Sequence, residues 1–362
     1  MKITFPYMGS PLIYRKLFEL LGQEVIMPPR PTQRTVNLGV KYSPEFACFP
    51  YKVMLGSYIE AIENGADTIV TSGGNGPCRA GFYSVVHLKT LQSMGYNVEM
   101  IVFDDFYRDP GLFLKKVYKL KGENSWLALF KAVLTTYHLA HTLDSLQKIV
   151  EIQRTYEMRR GSFTQAFDII CHRFSGEAKT VRDIDRIKSK AIAELEAIPV
   201  RKPPEGQRIR IGIVGEIFVV MESSINLEIA ELLNHLGCEV TRSMYISEWV
   251  DHALPRIFGK SATAILKNSD PYVEIGIGGH ERHNIGNMVE YKKQGFDGII
   301  HLMPFACLPE LVTQSMIPKI SGDLDIPILT LAIDEQTGVA NILTRLEAFI
   351  ELVKNNKLAR TA

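Results

Sequence analysis

The feature that most constrains the fold of this chain is an internal repeat. The segment ENGADTIV at residues 63–70 is echoed by KQGFDGII at residues 293–300, and LGQEV at residues 21–25 is echoed by LGCEV at residues 236–240. Each longer segment runs through an apolar strand into a loop that holds a proline and a cysteine. The glycine lies 13 positions before that cysteine in the first copy and 12 in the second. A two-fold repeat of this kind predicts two similar sheets whose loops meet at a cleft beyond the carboxyl ends of the strands.

Strands and helices alternate within each copy, which is the pattern of a parallel, doubly wound sheet. We therefore expect an α/β protein with two similar Rossmann- or flavodoxin-like domains, at residues 1–109 and 205–362. Helical periodicity dominates the intervening residues 110–204, which include most of the linker RKPPEG. Within this helical insertion, residues 110–200 carry 15 lysines and arginines against 10 acidic residues. The basic excess fits a solvated helical face, and an acidic partner or a phosphate-bearing ligand is the alternative.

The overall composition argues against several classes of protein. With 41 basic against 40 acidic residues the formal net charge is +1, which does not suit a protein that binds nucleic acid across a broad basic face. No apolar run reaches the about 18 residues of a membrane span. The N-terminal MKITFPYMGSP lacks the apolar stretch and cleavage site of a signal peptide. We therefore expect a cytoplasmic protein that binds neither nucleic acid nor membrane.

Five cysteines are scattered over the chain, and their odd number argues against a disulfide framework. Cys78 and Cys307 follow equivalent strands of the repeat, and Cys48 stands in a proline-bracketed loop that leads into a helix. Helix N-termini lower the pKa of a thiol, so three such thiols converging on one cleft would suit a soft metal or an iron–sulfur cluster. Spacing alone leaves buried, inert cysteines open as the alternative. Cys171 in the helical middle and Cys238 at a helix-to-strand turn are expected to be structural.

Several stretches around these cysteines resemble the motifs of a known family. They read YSPEFACFP at residues 42–50, SGGNGPCRAGFY at 72–83, DGIIHLMPFACLPE at 297–310, PILTLAIDEQTG at 327–338 and TRLEAF at 344–349. In this order they resemble the 2-hydroxyacyl-CoA dehydratase superfamily, most of all its branch of CoA protein activases and activase-related proteins. The resemblance covers both α/β halves, about residues 1–110 and 205–355.

The resemblance implies a 4Fe–4S cluster held by Cys48, Cys78 and Cys307, in which one iron has no cysteine ligand. In these dehydratases of anaerobic metabolism two related subunits cooperate, and an ATP-hydrolysing activator of the actin/Hsp70-like fold injects one electron at low potential. A sister branch carries a double-cubane cluster, which normally needs about six thiolates. This chain has five cysteines, two of them badly placed. The resemblance thus implies a single 4Fe–4S cluster, the activator as partner and an acyl-CoA as substrate. The chain has no Walker motif, so we expect no nucleotide on it.

A glycine-rich segment, GIGGHERHNIG at residues 276–286, precedes a predicted helix. Backbone N–H groups at Gly278, Gly279 and His280 would suit a cluster sulfide or an anion. A plain connecting loop accounts for the same pattern equally well. The spacing matches neither a P-loop nor the dinucleotide-binding fingerprint.

Two charged residues lie near the expected cleft. Arg79, beside Cys78, would screen the negative charge of a cluster, or else form a surface salt bridge. Glu216 follows the first strand of the second half and would act as a proton donor, or else as a helix cap.

Two classes of function stay open from the sequence. The first is an iron–sulfur oxidoreductase or dehydratase component that takes electrons from an ATPase partner. The second is a non-catalytic electron-transfer or scaffold subunit whose paralogue holds the reactive site. In either case the helical middle, which has no echo in the repeat, is the expected lid or docking surface. We expect a dimer, either of this chain or with a related paralogue.

Overall fold

The computed structural model describes residues 1–73, 76, 78–103, 109–253 and 261–361. The described residues of the first half form four strands and four α-helices in alternation. The strands are β1 (Lys2–Thr4), β2 (Glu24–Val25), β3 (Thr68–Thr71) and β4 (Glu99–Val102). The helices are α1 (Pro11–Leu20), α2 (Gln33–Tyr42), α3 (Phe49–Glu63) and α4 (Tyr83–Ser93). The strands pair in parallel in the order β2-β1-β3-β4, which confirms the predicted parallel sheet.

The helix α2 is not predicted by the sequence pattern. It crosses α3 so closely that the two backbones touch: a Cβ atom at Gly39 would lie 1.8 Å from the Lys52 carbonyl oxygen, and one at Gly56 would lie 1.9 Å from the Thr35 carbonyl oxygen. The buried Glu60 carboxylate on α3 accepts a hydrogen bond of 2.5 Å from the Thr35 hydroxyl. The contact therefore combines facing glycines with polar contacts of the Glu60 carboxylate to Thr35 and Arg34 of α2.

The described residues between the two sheets form four helices, as the periodicity predicts. They are α5 (Pro110–Lys121), α6 (Trp126–Gln153), α7 (Ser162–Glu177) and α8 (Val181–Glu196). These helices contact both halves. Lys116 on α5 donates to the Val102 carbonyl at 2.7 Å, and Asp144 on α6 accepts from the Ser247 backbone N–H at 2.7 Å. The boundaries proposed for this segment stay a prediction.

In the described part of the second half the alternation returns. The strands are β5 (Ile209–Gly215), β6 (Cys238–Arg242), β7 (Gly298–Pro304) and β8 (Ile328–Ile333). The helices are α9 (Ile217–Met221), α10 (Ile229–His235), α11 (Ile246–Ala253), α12 (Ser261–Ser269), α13 (Glu281–Lys293), α14 (Leu308–Leu324) and α15 (Val339–Thr361). The strand order is β6-β5-β7-β8, again all parallel.

The two sheets confirm the internal repeat. Each element of the order β6-β5-β7-β8 stands where its counterpart stands in β2-β1-β3-β4. The repeated aspartates hold the same place in each sheet: Asp67 accepts the backbone N–H of Lys2 at 2.8 Å, and Asp297 accepts that of Arg210 at 2.8 Å. Both carboxylates therefore anchor a central strand at its start, away from the carboxyl edge where ligands of such sheets bind.

Both faces of the first sheet are buried, as expected for a parallel sheet between helices. Ile69 and Val70 are neighbours on β3 and belong to different apolar clusters. The cluster that holds Ile69 also contains Leu139 of α6 and Ile213 of β5. A shared core thus runs from one sheet through the helical middle to the other, and it fixes how the loops at the carboxyl edges of the two sheets face each other.

Candidate functional site

The three cysteines of the repeat loops each stand immediately before a helical turn. Cys48 is the N-terminal cap residue of α3, and Cys307 is that of α14. Cys78 precedes a 3-10 turn, Arg79–Phe82, that leads directly into α4. A proline stands two residues after Cys48 and after Cys307, in the first turn of each helix, where a missing N–H costs nothing. The local sequence thus places each thiol at a helix start.

Contacts link the loops of Cys48 and Cys78. The Cys48 Sγ and the Tyr83 hydroxyl form a 2.5 Å hydrogen bond in which either atom can donate, and Tyr83 begins the helix that follows Cys78. The Arg79 guanidinium donates to the Phe46 carbonyl at 2.5 Å. The predicted neighbour of Cys78 therefore ties one cysteine loop to the other.

Residues of the second half of the chain lie near the same cysteine loops. The Glu216 carboxylate, which follows β5 in the second half, contributes to the raised pKa of Cys48 in the first half and of Cys307 in its own half. Lys52, one turn after Cys48 on α3, forms a 2.6 Å ion pair with Glu335, which follows β8. The candidate site therefore lies between the carboxyl edges of the two sheets.

The protonation of the thiols differs from the sequence-based expectation. Burial raises the pKa of Cys48, and burial with the nearby Glu216 and Glu310 carboxylates raises the pKa of Cys307. The helix N-terminus favours the thiolate, but the loss of water and the two acids outweigh it. The prediction of lowered thiol pKa values is thus wrong for these two residues.

Glu216 is both a helix cap and a neighbour of the cysteines. Its carboxylate accepts the backbone N–H of Val219 at 3.0 Å at the start of α9. Burial raises the pKa of this carboxyl to about 7. A group with this pKa can hold or release a proton near neutral pH.

The glycine-rich loop packs beside the Cys307 helix. A Cβ atom at Gly279 would lie 2.6 Å from the ring of Pro309 in the first turn of α14. The Gly278 N–H donates to the Glu281 carboxylate at 3.1 Å, and His280 is the residue before α13. The loop thus lies next to a candidate ligand, while one of its N–H groups is used within the loop itself. A contact of Gly278, Gly279 or His280 with a cofactor stays a prediction.

A buried polar network lies behind Cys307, and the sequence pattern does not predict it. Glu310, in the first turn of α14, accepts two 2.9 Å hydrogen bonds from the Asn284 amide. The His301 Nε2 lies 2.8 Å from the same carboxylate. Asn284 in turn accepts the Gly215 N–H at 3.1 Å. The sequence signal for this network is a polar residue inside an apolar stretch, such as the histidine of IIHLMP, which is buried in β7.

An exposed phenylalanine accompanies each cysteine. Phe46, Phe82 and Phe305 lie within four residues of Cys48, Cys78 and Cys307 and are 72%, 68% and 63% exposed. Burying such rings against water-free surface is favourable by about 25 cal/mol per Å². Each ring is thus available for contact with a partner.

The other two cysteines lie apart from these loops, as predicted. Cys238 begins β6 and is fully buried, and Cys171 lies in α7. Burial raises the pKa of both thiols to about 12. Cys171 lines a cavity of about 830 Å³, together with Tyr7 and Glu222, which follow β1 and β5.

Two negative findings apply to the described residues. No group of three or more histidine, cysteine, aspartate or glutamate side chains is gathered so as to hold a metal ion there. In the same ranges no helix has both the length and the apolar character needed to cross a bilayer.

Comparison with family models decides the relationship of the chain. Residues 139–353 match the model described as 2-hydroxyglutaryl-CoA dehydratase, D-component, which is more than half of the chain. The chain belongs to this family. Residues 4–71 match a second model, described as CoA enzyme activase uncharacterised domain. Comparison with curated protein sequences gives no match.

The family assignment confirms the resemblance to the 2-hydroxyacyl-CoA dehydratase superfamily. The D-component match begins within α6, continues through the whole second sheet and contains Cys307. The activase-domain match runs from the last residue of β1 to the last residue of β3 and contains Cys48. Cys78 lies between the two matched ranges.

Proposed function

We propose that this D-component family member is a 2-hydroxyacyl-CoA dehydratase component in which Cys48, Cys78 and Cys307 hold one 4Fe–4S cluster. Bound there, such a cluster would accept a low-potential electron from an ATP-hydrolysing activator and supply it for a reduction or a radical dehydration. The observation that carries the proposal is the placement of three thiols at three helix starts, with contacts that join the loops of Cys48 and Cys78 and an ion pair of Lys52 with Glu335 that joins the two halves.

The three cysteines fit an iron–sulfur cluster. Cysteine thiolates are the usual ligands of iron–sulfur clusters. Iron binding displaces the thiol proton, so these cysteines can bind iron despite their raised pKa values. A cubane also separates its thiolates more widely than a single metal ion does, so the described residues need not converge on one point. With Cys171 and Cys238 elsewhere in the fold, the fourth iron would be left to a non-cysteine ligand or to substrate.

The protein's own groups would control protons and charge around these thiols. Glu216, with a pKa of about 7, can hold a proton between Cys48 and Cys307 and deliver it to a bound substrate. Tyr83 orients Cys48 through its hydroxyl. Arg79 places a positive charge beside Cys78, where it would lower the energy of an anionic cluster.

The activator would dock on the exposed phenylalanines. Phe46, Phe82 and Phe305 expose their rings within four residues of the three cysteines, and electron transfer requires the donor to come close to the cluster. A protein that covers these rings would also keep water and oxygen from the site.

The test is an anaerobic assay with ATP, a low-potential reductant, a dehydratase activator and 2-hydroxyacyl-CoA thioesters. We expect enoyl-CoA to form only when all components are present. Iron that is bound and reduced without turnover of any thioester would favour the alternative, an electron-transfer or scaffold subunit. A chain without iron and sulfide after anaerobic purification would contradict both.

A further inference from the structure

A second cavity, of about 540 Å³, lies at the carboxyl edge of the first sheet. Phe5, Val70 and Phe103, at or just after β1, β3 and β4, form its floor. Val117 of α5 and Leu129 of α6 form a wall, and Trp249 of α11 completes it from the second half. The volume lies in the range of about 300–1,000 Å³ that is typical of small-molecule sites, and the carboxyl edge is where open α/β sheets bind ligands.

The chemistry of the lining restricts what can enter. Among the described residues that line the cavity, none carries a charge, and nearly all are aliphatic or aromatic. The exceptions include Thr71 and Ser72, which are consecutive and begin the loop that leads to Cys78. The Thr71 hydroxyl accepts a 3.1 Å hydrogen bond from Tyr58 and donates to the Ser72 carbonyl at 2.9 Å. Two polar side chains of the lining thus lie where the cysteine loop departs.

We propose that this cavity binds the hydrocarbon chain of an acyl ligand, with its carbonyl end toward Thr71 and Ser72. An aliphatic chain would bury its surface against the apolar wall without leaving a polar group unpaired. A dicarboxylic acyl group such as glutaryl would bring a second carboxylate against the described lining residues, which offer it no cation, at a large desolvation cost. The cavity therefore selects monocarboxylic, apolar acyl chains; that these belong to the substrate rests on the proposed function.

The two tryptophans of the chain provide a direct test. Trp249 lines the cavity, whereas Trp126 is 55% exposed on the surface. The probe is 11-bromoundecanoate, whose bromine quenches tryptophan fluorescence at short range. In Trp126→Phe, where only Trp249 emits, we expect saturable quenching. In Trp249→Phe, which keeps an aromatic wall, Trp126 should be quenched much less, because it does not line the cavity. Equal quenching of both variants, or none in Trp126→Phe, would overturn the proposal.

Two further measurements sharpen the result in the Trp126→Phe background. Val117→Phe fills the cavity and should weaken the apparent affinity for the probe at least tenfold. Val85→Phe, the same change at an exposed position of α4, should leave it unchanged. Undecanoate should displace the probe at least tenfold better than undecanedioate, and this comparison needs no cavity variant. Equal competition by the two acids would contradict the apolar selection.

This experiment tests the acyl site independently of the proposed function, because binding of the free acid requires no iron. Quenching that persists in Cys78→Ser would support the cavity even if that variant and the wild type lack iron. A chain that loads iron but shows no saturable quenching would keep the proposed function and refute the acyl site.

Discussion

At the scale of single residues, the buried carboxyls determine how stability depends on pH. Burial raises the pKa of Glu222 from 4.5 to about 7. Its carboxylate accepts hydrogen bonds from the Ser224 backbone and hydroxyl, which do not compensate fully for the lost water. Between pH 4.5 and 7 the folded chain keeps this proton while the unfolded chain releases it. The free energy of unfolding therefore falls as the pH rises through this window.

We expect Glu222→Gln to remove this dependence. Relative to the wild type, the variant should gain stability between pH 4.5 and pH 8 by up to roughly 3 kcal/mol, because each unit of pKa shift corresponds to about 1.4 kcal/mol. Urea unfolding at the two pH values measures the difference. Glu123→Gln, at an exposed position, is the matched control and should show no such change. The same wild-type-to-variant difference at both pH values would refute a raised pKa.

At the scale of elements, the close crossing of α2 and α3 presents Cys48, because α3 begins at that residue. Gly56→Ala would place a methyl group 1.9 Å from the Thr35 carbonyl oxygen. Backbone atoms cannot turn away as a side chain can, so the two helices must separate. We expect a loss of roughly 3 kcal/mol in the free energy of unfolding.

The control for this substitution is Gly176→Ala in α7, where no atom lies within 4 Å of the added methyl group. Alanine has the higher helix propensity, so we expect a gain of up to about 1 kcal/mol. Chemical denaturation of both variants tests the pair. Equal stability of Gly56→Ala and the wild type would show that α2 does not pack on α3 in this way.

Much of the architecture at this scale could be predicted from the sequence. The strand at residues 68–71 is where the short apolar run and the preceding glycine place it, and the repeat correctly paired the loops of Cys78 and Cys307. The pattern did not predict α2, whose backbone approaches α3 closely at Gly39 and Gly56. It also gave the wrong direction for the thiol pKa values of Cys48 and Cys307. Those values depend on burial and on acids brought in by the other half, which local sequence does not reveal.

At the scale of the whole molecule, one outward face of α5 and α6 is strongly apolar. Its large exposed side chains are Leu112, Leu114, Tyr118, Trp126, Leu127, Phe130, Val133 and Leu134. Large apolar side chains exposed in this number are typical of a surface that contacts another protein. The helical middle is thus suited to the dimer contact expected from the sequence.

We therefore expect a dimer at micromolar concentration, either of this chain or with a co-purifying paralogue. Phe130→Glu places a charge in the middle of the apolar face and should convert the dimer to monomers, measured by size exclusion with light scattering. Ile169→Glu, on an exposed position of α7, should leave the dimer intact. A wild-type chain that elutes as a clean monomer without a paralogue would rule out the stable dimer.

The central claim is that three particular cysteines hold one iron–sulfur cluster. Iron and acid-labile sulfide, measured per chain after anaerobic purification, test it most directly in five single Cys→Ser variants. The wild type, Cys171→Ser and Cys238→Ser should each contain about four irons. Cys48→Ser, Cys78→Ser and Cys307→Ser should each lose most of the iron, because a cubane deprived of one of three thiolates is no longer retained. Full iron content in Cys78→Ser would contradict the account.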